Sequence, residues 1–286
     1  LYSTEIVYEG ILLREAFISF WGVASLYLLL RLQTACRARD LIAATLAMSM
    51  FFQGRPNTFL CLPLICVYLH LHVFKSQESA EKAWNWGTFW GVLLASLVPL
   101  LVQCYIVHGK FVFFDASGPH TFISGNLTAY SGVGFDAFVV ENYQKENVLG
   151  YASNIQYLIN HIAGDPVGFF KLYLRKLYFF FNDFEAPSNT STYLYREFSR
   201  LVPWLSNHFA LYSALGLVGI VLAIRNKEKV FLLYAYTLSM SVAILIFLNE
   251  DRYRIPVVPY YVIFAAYAVD CIIVKFGRKR FAEAVA

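Results

Sequence analysis

Apolar runs alternate along this chain with short polar insertions, and the alternation predicts helices that cross a membrane. The runs lie at about 12–30, 41–52, 58–74, 86–107, 208–224, 230–248 and 255–274. A span takes roughly 20 apolar residues, so 41–52 is short. It crosses only if the following Gly54-Arg55-Pro56-Asn57 lies in a water-filled recess. Residues 108–206 differ in character, richer in Gly, Asn, Asp and Tyr, and are too long for a bare connector. Within them Asp165-Pro166 is a helix start, an N-cap residue followed by proline in the first turn. Phe170, Tyr173, Leu174, Leu177, Tyr178 and Phe181 then recur at helical spacing, with Lys171 and Arg175 together on another face. That pattern suits an amphipathic helix lying in the membrane interface, ending within 182–187.

The expected fold is an all-α polytopic membrane protein of about seven transmembrane helices. Four spans fall in 1–107, an extracytoplasmic region with the interfacial helix in 108–206, and three spans with a basic cytoplasmic tail in 207–286. Composition agrees: 58% of the 286 residues are hydrophobic and 15% charged, unlike a soluble domain of this length. Aromatic residues at 18% fit wide lipid interfaces, where amphipathic rings settle. Membrane lipids are therefore expected partners, and nucleic acid is not. The five cysteines lie in or beside apolar runs, without CxxC or zinc spacing, and read as small buried hydrophobes. No cofactor is identified, and nothing at ligand spacing asks for a divalent metal.

The net charge of +4 matters less than its placement. With the entrance of the first span outside, the inner loops 31–40, 75–82, 225–229 and 275–280 carry three, two, three and four Lys or Arg. The short outer turns hold only Arg55, Arg252 and Arg254, with Arg14 at the first entrance. The positive-inside rule favours this orientation. It gathers Glu9, Arg14, Glu15, Arg55, Asn57, the long region and the stretch 249–254 on the outer face. Charges wedged between spans are expensive and by default mark a function. The densest case is Asn249-Glu250-Asp251-Arg252-Tyr253-Arg254.

Several of these stretches resemble one family. Tyr8-Glu9-Gly10 with Leu12-Leu13-Arg14-Glu15 before an apolar span is similar to a segment of the GT-C-type integral membrane glycosyltransferases. These are polyprenyl-phosphate-sugar-dependent enzymes, among them the protein O-mannosyltransferases and the lipid A aminoarabinose transferases. Arg55-Pro56-Asn57 resembles their R-P-N turn, and Ser124-Gly125-Asn126 their GN element. The stretch 170–187, with Arg175-Lys176-Leu177 and Asn182-Asp183-Phe184-Glu185, looks like their interfacial helix. Arg252-Tyr253-Arg254-Ile255-Pro256 with Pro259 is similar to the RYR-x-P turn of bacterial members.

The resemblance implies transfer of a hexosyl or pentosyl group from a polyprenyl-phosphate donor to a hydroxyl-bearing acceptor (lipid, glycan or protein). It also implies a place in the inner (plasma) membrane of a bacterium, with the site on the extracytoplasmic side. In the family a carboxylate in the first outer loop accepts the acceptor's proton. No such segment precedes Leu1, so that residue is expected upstream, and Glu9 and Glu15 are the weaker catalytic candidates in this chain. A Gly-rich phosphate loop for a nucleotide-sugar donor is not found. A glycan polymerase or ligase using polyprenyl-linked chains, or a transporter or flippase, are the alternative readings.

For the donor phosphate and sugar the candidates are Arg252, Tyr253, Arg254, Arg55 and Asn57. Fixed guanidinium groups stabilise a leaving phosphate; the arginines equally snorkel to lipid head groups or pair with Glu250 and Asp251. Tyr253 closes the pocket or belongs to an aromatic belt. The helix start at Pro56 offers backbone N–H groups to a phosphate or sugar oxygen, or is a plain turn. Glu15 binds acceptor or sugar, or pairs with Arg14 or Arg55. Lys171, Arg175 and Lys176 anchor the interfacial helix in lipid or bind the carrier's phosphate, to which Asn126 and Glu185 are weaker additions.

Overall fold

A computed structural model describes residues 4, 14–34, 36–109, 118–134, 151–186, 192–200 and 208–285. Among these residues all regular structure is helical. In chain order the helices are α1 (Arg14–Arg31), α2 (Ala38–Gly54), α3 (Pro56–Val73), α4 (Ser79–His108), α5 (Gly118–Ser124), α6 (Tyr151–Gly164), α7 (Pro166–Phe181), α8 (Thr192–Phe198), α9 (Phe209–Arg225), α10 (Phe231–Ile246) and α11 (Val258–Val285). A single helical turn, Asp251–Arg254, and a 3-10 turn, Ile255–Val257, lead into α11.

Among the described residues each apolar run of the sequence falls mainly on a helix; α10 stops at Ile246, short of the run's end, and α4 gains polar residues at its start. The helix expected from 86 begins at Ser79, because Ser-Ala-Glu-Lys-Ala-Trp-Asn-Trp is helix-forming but too polar for a hydropathy window. Its 30 residues extend about 45 Å, more than the hydrocarbon thickness. Pro56–Val73, Ser79–His108 and Arg252–Lys275 are long and apolar enough to cross a membrane, while α9 and α10 are apolar but shorter. These helices make the chain a helical membrane protein.

Between α2 and α3 the chain turns sharply at one residue. Proline drives the residue before it out of the helical region, and Arg55 is extended at φ −157°, ψ 139°. Beyond it Phe59 stacks on Phe52 at 4.4 Å between centroids. Seven residues of straight helix would part them by about 10 Å along the axis. α3 opens as a 3-10 turn, continues as α-helix and closes with a π-helical turn, Leu69–Val73.

α1 packs on α2, α2 on α4, α3 on α10, and α9 along α11. Ile18, Met48, Phe51, Phe52, Ile65, Tyr236 and Tyr260 are central to the shared core. Outward, Leu94, Val98, Val221, Ile224 and Ile273 are exposed, the pattern of helices whose solvent is lipid. The α9–α11 contact depends on small residues. A Cβ on Gly216 would lie 2.7 Å from the Tyr261 ring, and one on Gly219 would collide with the Phe264 carbonyl. Between membrane helices such backbone approach supplies the packing that hydrophobicity cannot.

Helix α7 starts where Asp165-Pro166 predicts, with Asp165 Oδ1 accepting from the Gly168 N–H at 2.8 Å. Its faces have a different meaning from that of a helix in water. Phe170, Leu174, Leu177 and Tyr178 are exposed, and Leu172, Lys176 and Phe180 are buried against the protein.

Candidate functional site

The polar stretch at 249–254 joins α10 to α11, and its turn Asp251–Arg254 decides where the arginines go. Side chains two positions apart on a helix diverge by about 200°. Arg252 and Arg254 accordingly enter two different clusters.

Arg254 is buried and grips the carboxyl end of α7. Its Nη1 donates to the Asn182 carbonyl at 2.8 Å, and its Nη2 to the Phe184 carbonyl at 2.7 Å and Glu185 Oε2 at 2.8 Å. The guanidinium also lies 4.8 Å from the Phe209 ring centroid. Asn182 follows the last residue of α7, so Arg254 meets carbonyls that a helix end leaves without partners. Asp183 continues the frame by accepting from the Ala210 N–H at 2.6 Å, at the start of α9.

The other face of α7 closes on the end of α10. Lys176 Nζ donates to the Leu245 and Phe247 carbonyls at 2.8 and 2.9 Å, with the Tyr173 and Tyr130 rings at 5.1 and 5.7 Å. Burial pushes the Lys176 amine down to about 7. A neutral amine has two N–H groups, enough for both carbonyls. Asn126 Nδ2 donates to the Ile246 carbonyl at 2.7 Å and to Phe122, and its Oδ1 accepts from Tyr173. Gly125 is required beside it, since a Cβ there would strike the Phe247 carbonyl. Arg175 donates to the Thr128 and Tyr130 carbonyls, and Asn249 to the Lys176 carbonyl. Of the residues expected at the carrier, Lys176, Arg175, Asn126 and Glu185 therefore belong to one hydrogen-bonded frame, while Lys171 is exposed.

Arg252 turns the opposite way. Its Nε donates to Glu250 Oε2 at 2.8 Å, its Nη2 to the Tyr253 hydroxyl at 3.1 Å, and its side chain is 15% exposed. Arg55 Cζ lies 3.9 Å from the centroid of the same Tyr253 ring, and Arg252 Cζ 4.9 Å from it. Arg55 in turn pairs with Glu15 on α1. Of the partners open to Glu15 in the sequence, the structure thus selects Arg55 and leaves Arg14 exposed. Two guanidinium groups sharing one ring repel each other, and Glu15 and Glu250 offset that repulsion.

Three apolar elements contribute to this second cluster: the start of α1, the α2–α3 turn and the approach to α11. Glu15 Oε2 and Arg55 Nε in this cluster are buried without hydrogen-bond partners, as are Ser19 Oγ, one turn along α1 from Glu15, and Asn57 Oδ1, two residues after Arg55. Arg252 and Tyr253, both half-buried, stand at its edge. Two guanidinium groups, two carboxylates and a phenol thus meet beside apolar helices, where hydrogen bonds to ions are stronger than in water.

Glu9 lies outside the described residues. Tyr130 and Asn249 are side chains of the frame to which sequence reasoning gave no role, and the place of Asn249 at the head of the polar stretch was a legible signal. Among the described residues no three His, Cys, Asp or Glu side chains gather as a metal site. Comparison with known protein families, curated proteins and solved structures finds no match to this chain.

Proposed function

We propose that this chain is a membrane glycosyltransferase of GT-C type, moving one sugar from a polyprenyl-phosphate donor to a hydroxyl acceptor at the extracytoplasmic face. The observation that carries the reading is the convergence of Arg55, Arg252 and Tyr253 beside Glu15 at one edge of an apolar bundle. A lipid-linked phosphate is an anion tethered at that depth, and guanidinium groups meet it as it develops charge on leaving. In this reading seven helices span the inner membrane of a bacterium, with α7 in the outer interface. Arg252 holds the phosphate, Tyr253 and Arg55 complete that wall, and Asn57 faces the sugar. Arg254 acts through the frame that aims Arg252. The displacement inverts the sugar carbon: a carboxylate takes the acceptor's proton while the C–O bond to phosphate breaks.

The decisive experiment uses the full-length protein in lipid, with a polyprenyl-linked monosaccharide as donor. Arg252→Ala removes a contact worth about 2–4 kcal/mol in the transition state, so transfer should fall about 30- to 900-fold. Turnover at the parental rate in the correctly inserted variant overturns the assignment.

A further inference from the structure

One imidazole ties helix α6 to the turn that follows α5. His161 Nε2 accepts from the Thr128 backbone N–H at 3.1 Å, and the Thr128 hydroxyl lies 3.1 Å from the same nitrogen. A backbone amide N–H only donates, so Nε2 carries no proton in this contact and the ring is the neutral tautomer with its hydrogen on Nδ1. An imidazolium has hydrogens on both nitrogens and no acceptor. Protonation therefore sets N–H against N–H at Thr128, and only the hydroxyl, turned to accept, stays with the ring.

The contact matters because the packing under α6 is small. Ile123, Leu127 and Leu158 form a satellite cluster apart from the main core, and Ile155 and Ile159 are exposed. The His161 ring stacks on Tyr157 one turn back, with planes 9° apart. The turn that His161 holds also joins the frame. Its Thr128 and Tyr130 carbonyls accept from Arg175, and the Tyr130 hydroxyl accepts from the Asn249 N–H at 3.4 Å. A change at Thr128 thus reaches the residue next to Glu250.

Imidazole is the side chain whose charge changes between about pH 5 and 8, and charged groups around the contact pull both ways. Arg175, on the Thr128 carbonyl, opposes a second cation, as does Lys176 when charged, its amine 5.7 Å from the Tyr130 ring. Lys171, also on α7, is exposed. Asp165, whose N–H donates to the His161 carbonyl at 3.0 Å, and the carboxyl end of α6 favour a cation. The Tyr130, Tyr157 and Tyr173 phenols complete the surroundings.

We propose that His161 is an acid-released latch: the neutral ring holds α6 to residues 126–130, and the imidazolium lets the two loosen together while the membrane helices keep their packing. The closed form binds fewer protons, so it weakens as pH falls. The device stands on this contact and does not depend on the reaction proposed above.

Two measurements on the full-length protein in lipid nanodiscs test it. NMR of isotope-labelled histidine, with the His161 signal identified by its loss in His161→Gln, should show hydrogen on Nδ1 alone at about pH 8. A ring protonated on Nε2 at that pH overturns the proposal. Hydrogen exchange read by mass spectrometry, corrected for intrinsic pH dependence, should show protection of 126–130 and α6 about three- to tenfold lower at about pH 5 than at about pH 8, with α9 unchanged. His161→Gln keeps an acceptor that takes no proton and should hold protection level; His161→Arg, cationic throughout, should give the low value at both. Equal protection at the two pH values in the parent chain overturns the latch, as does an undiminished fall in His161→Gln. Such a fall, if abolished by Lys176→Met, assigns the response to the Lys176 amine instead.

Discussion

Replacing Arg254 by methionine tests the frame at its centre. The substitution leaves Glu185 Oε2, 2.8 Å from the lost guanidinium, as a carboxylate on a side chain with 0% exposure. Removing one partner of a buried ion pair costs about 3–5 kcal/mol. The Asn182 and Phe184 carbonyls lose donors at 2.8 and 2.7 Å, each worth about 1 kcal/mol more. A total of about 5–7 kcal/mol is comparable to the whole stability of many domains. At about 2–4 °C per kcal/mol for a chain this size, the melting temperature should fall by about 10–28 °C. Thermal unfolding in detergent, followed by intrinsic fluorescence, measures it. Arg254→Met combined with Glu185→Leu removes both charges and should recover most of the loss. A single variant melting with the parent, or a double variant no better than the single, refutes the account. Loss of donor binding with unshifted melting would assign Arg254 to the ligand instead of the frame.

Lys176 gives the frame a pH dependence. Its folded pKa of about 7 lies below the ordinary 10.5, so the unfolded chain holds more protons between those values. Stability should therefore rise with pH from about 7 toward 10.5, be lost as pH falls back to 7, and flatten below; Lys176→Met should abolish that rise in melting curves taken across this window. Gly219→Ala places a methyl against the Phe264 carbonyl and must push α9 from α11, at about 1–3 kcal/mol, read as a lower melting temperature. An unchanged value contradicts the close approach. Asp165→Ala removes the cap on Gly168, at about 1 kcal/mol, and should speed hydrogen exchange in the first turn of α7 without altering exchange in α10.

The resolution of the RYR turn explains how much of the site was legible. Arg252, Tyr253, Arg254, Arg55 and Asn57 were readable as candidates because charge beside apolar runs is conspicuous along the chain. Pairing Glu15 with Arg55 was one of two options, forty residues apart, and no local rule chooses between them. Lys176 marks the opposite limit. On a helical wheel it falls in the row Leu172–Lys176–Phe180, away from Lys171 and Arg175, where a lysine has no partner along the chain. That row packs on the protein, so Lys176 meets the carbonyls at the end of α10 while Lys171 and Arg175 stay exposed.

By itself, the sequence determined where helices form, where they break and which are apolar enough for a membrane. Those outcomes rest on local free energies: side-chain transfer, the missing N–H of Pro56, the Asp165 cap. Only the tertiary structure decided that Arg254 belongs to Glu185, sixty-nine residues away, while Arg252 belongs to Glu250 and the Tyr253 ring. Two arginines separated by one residue on a helical turn point apart. What each meets depends on which distant element packing has brought to that side.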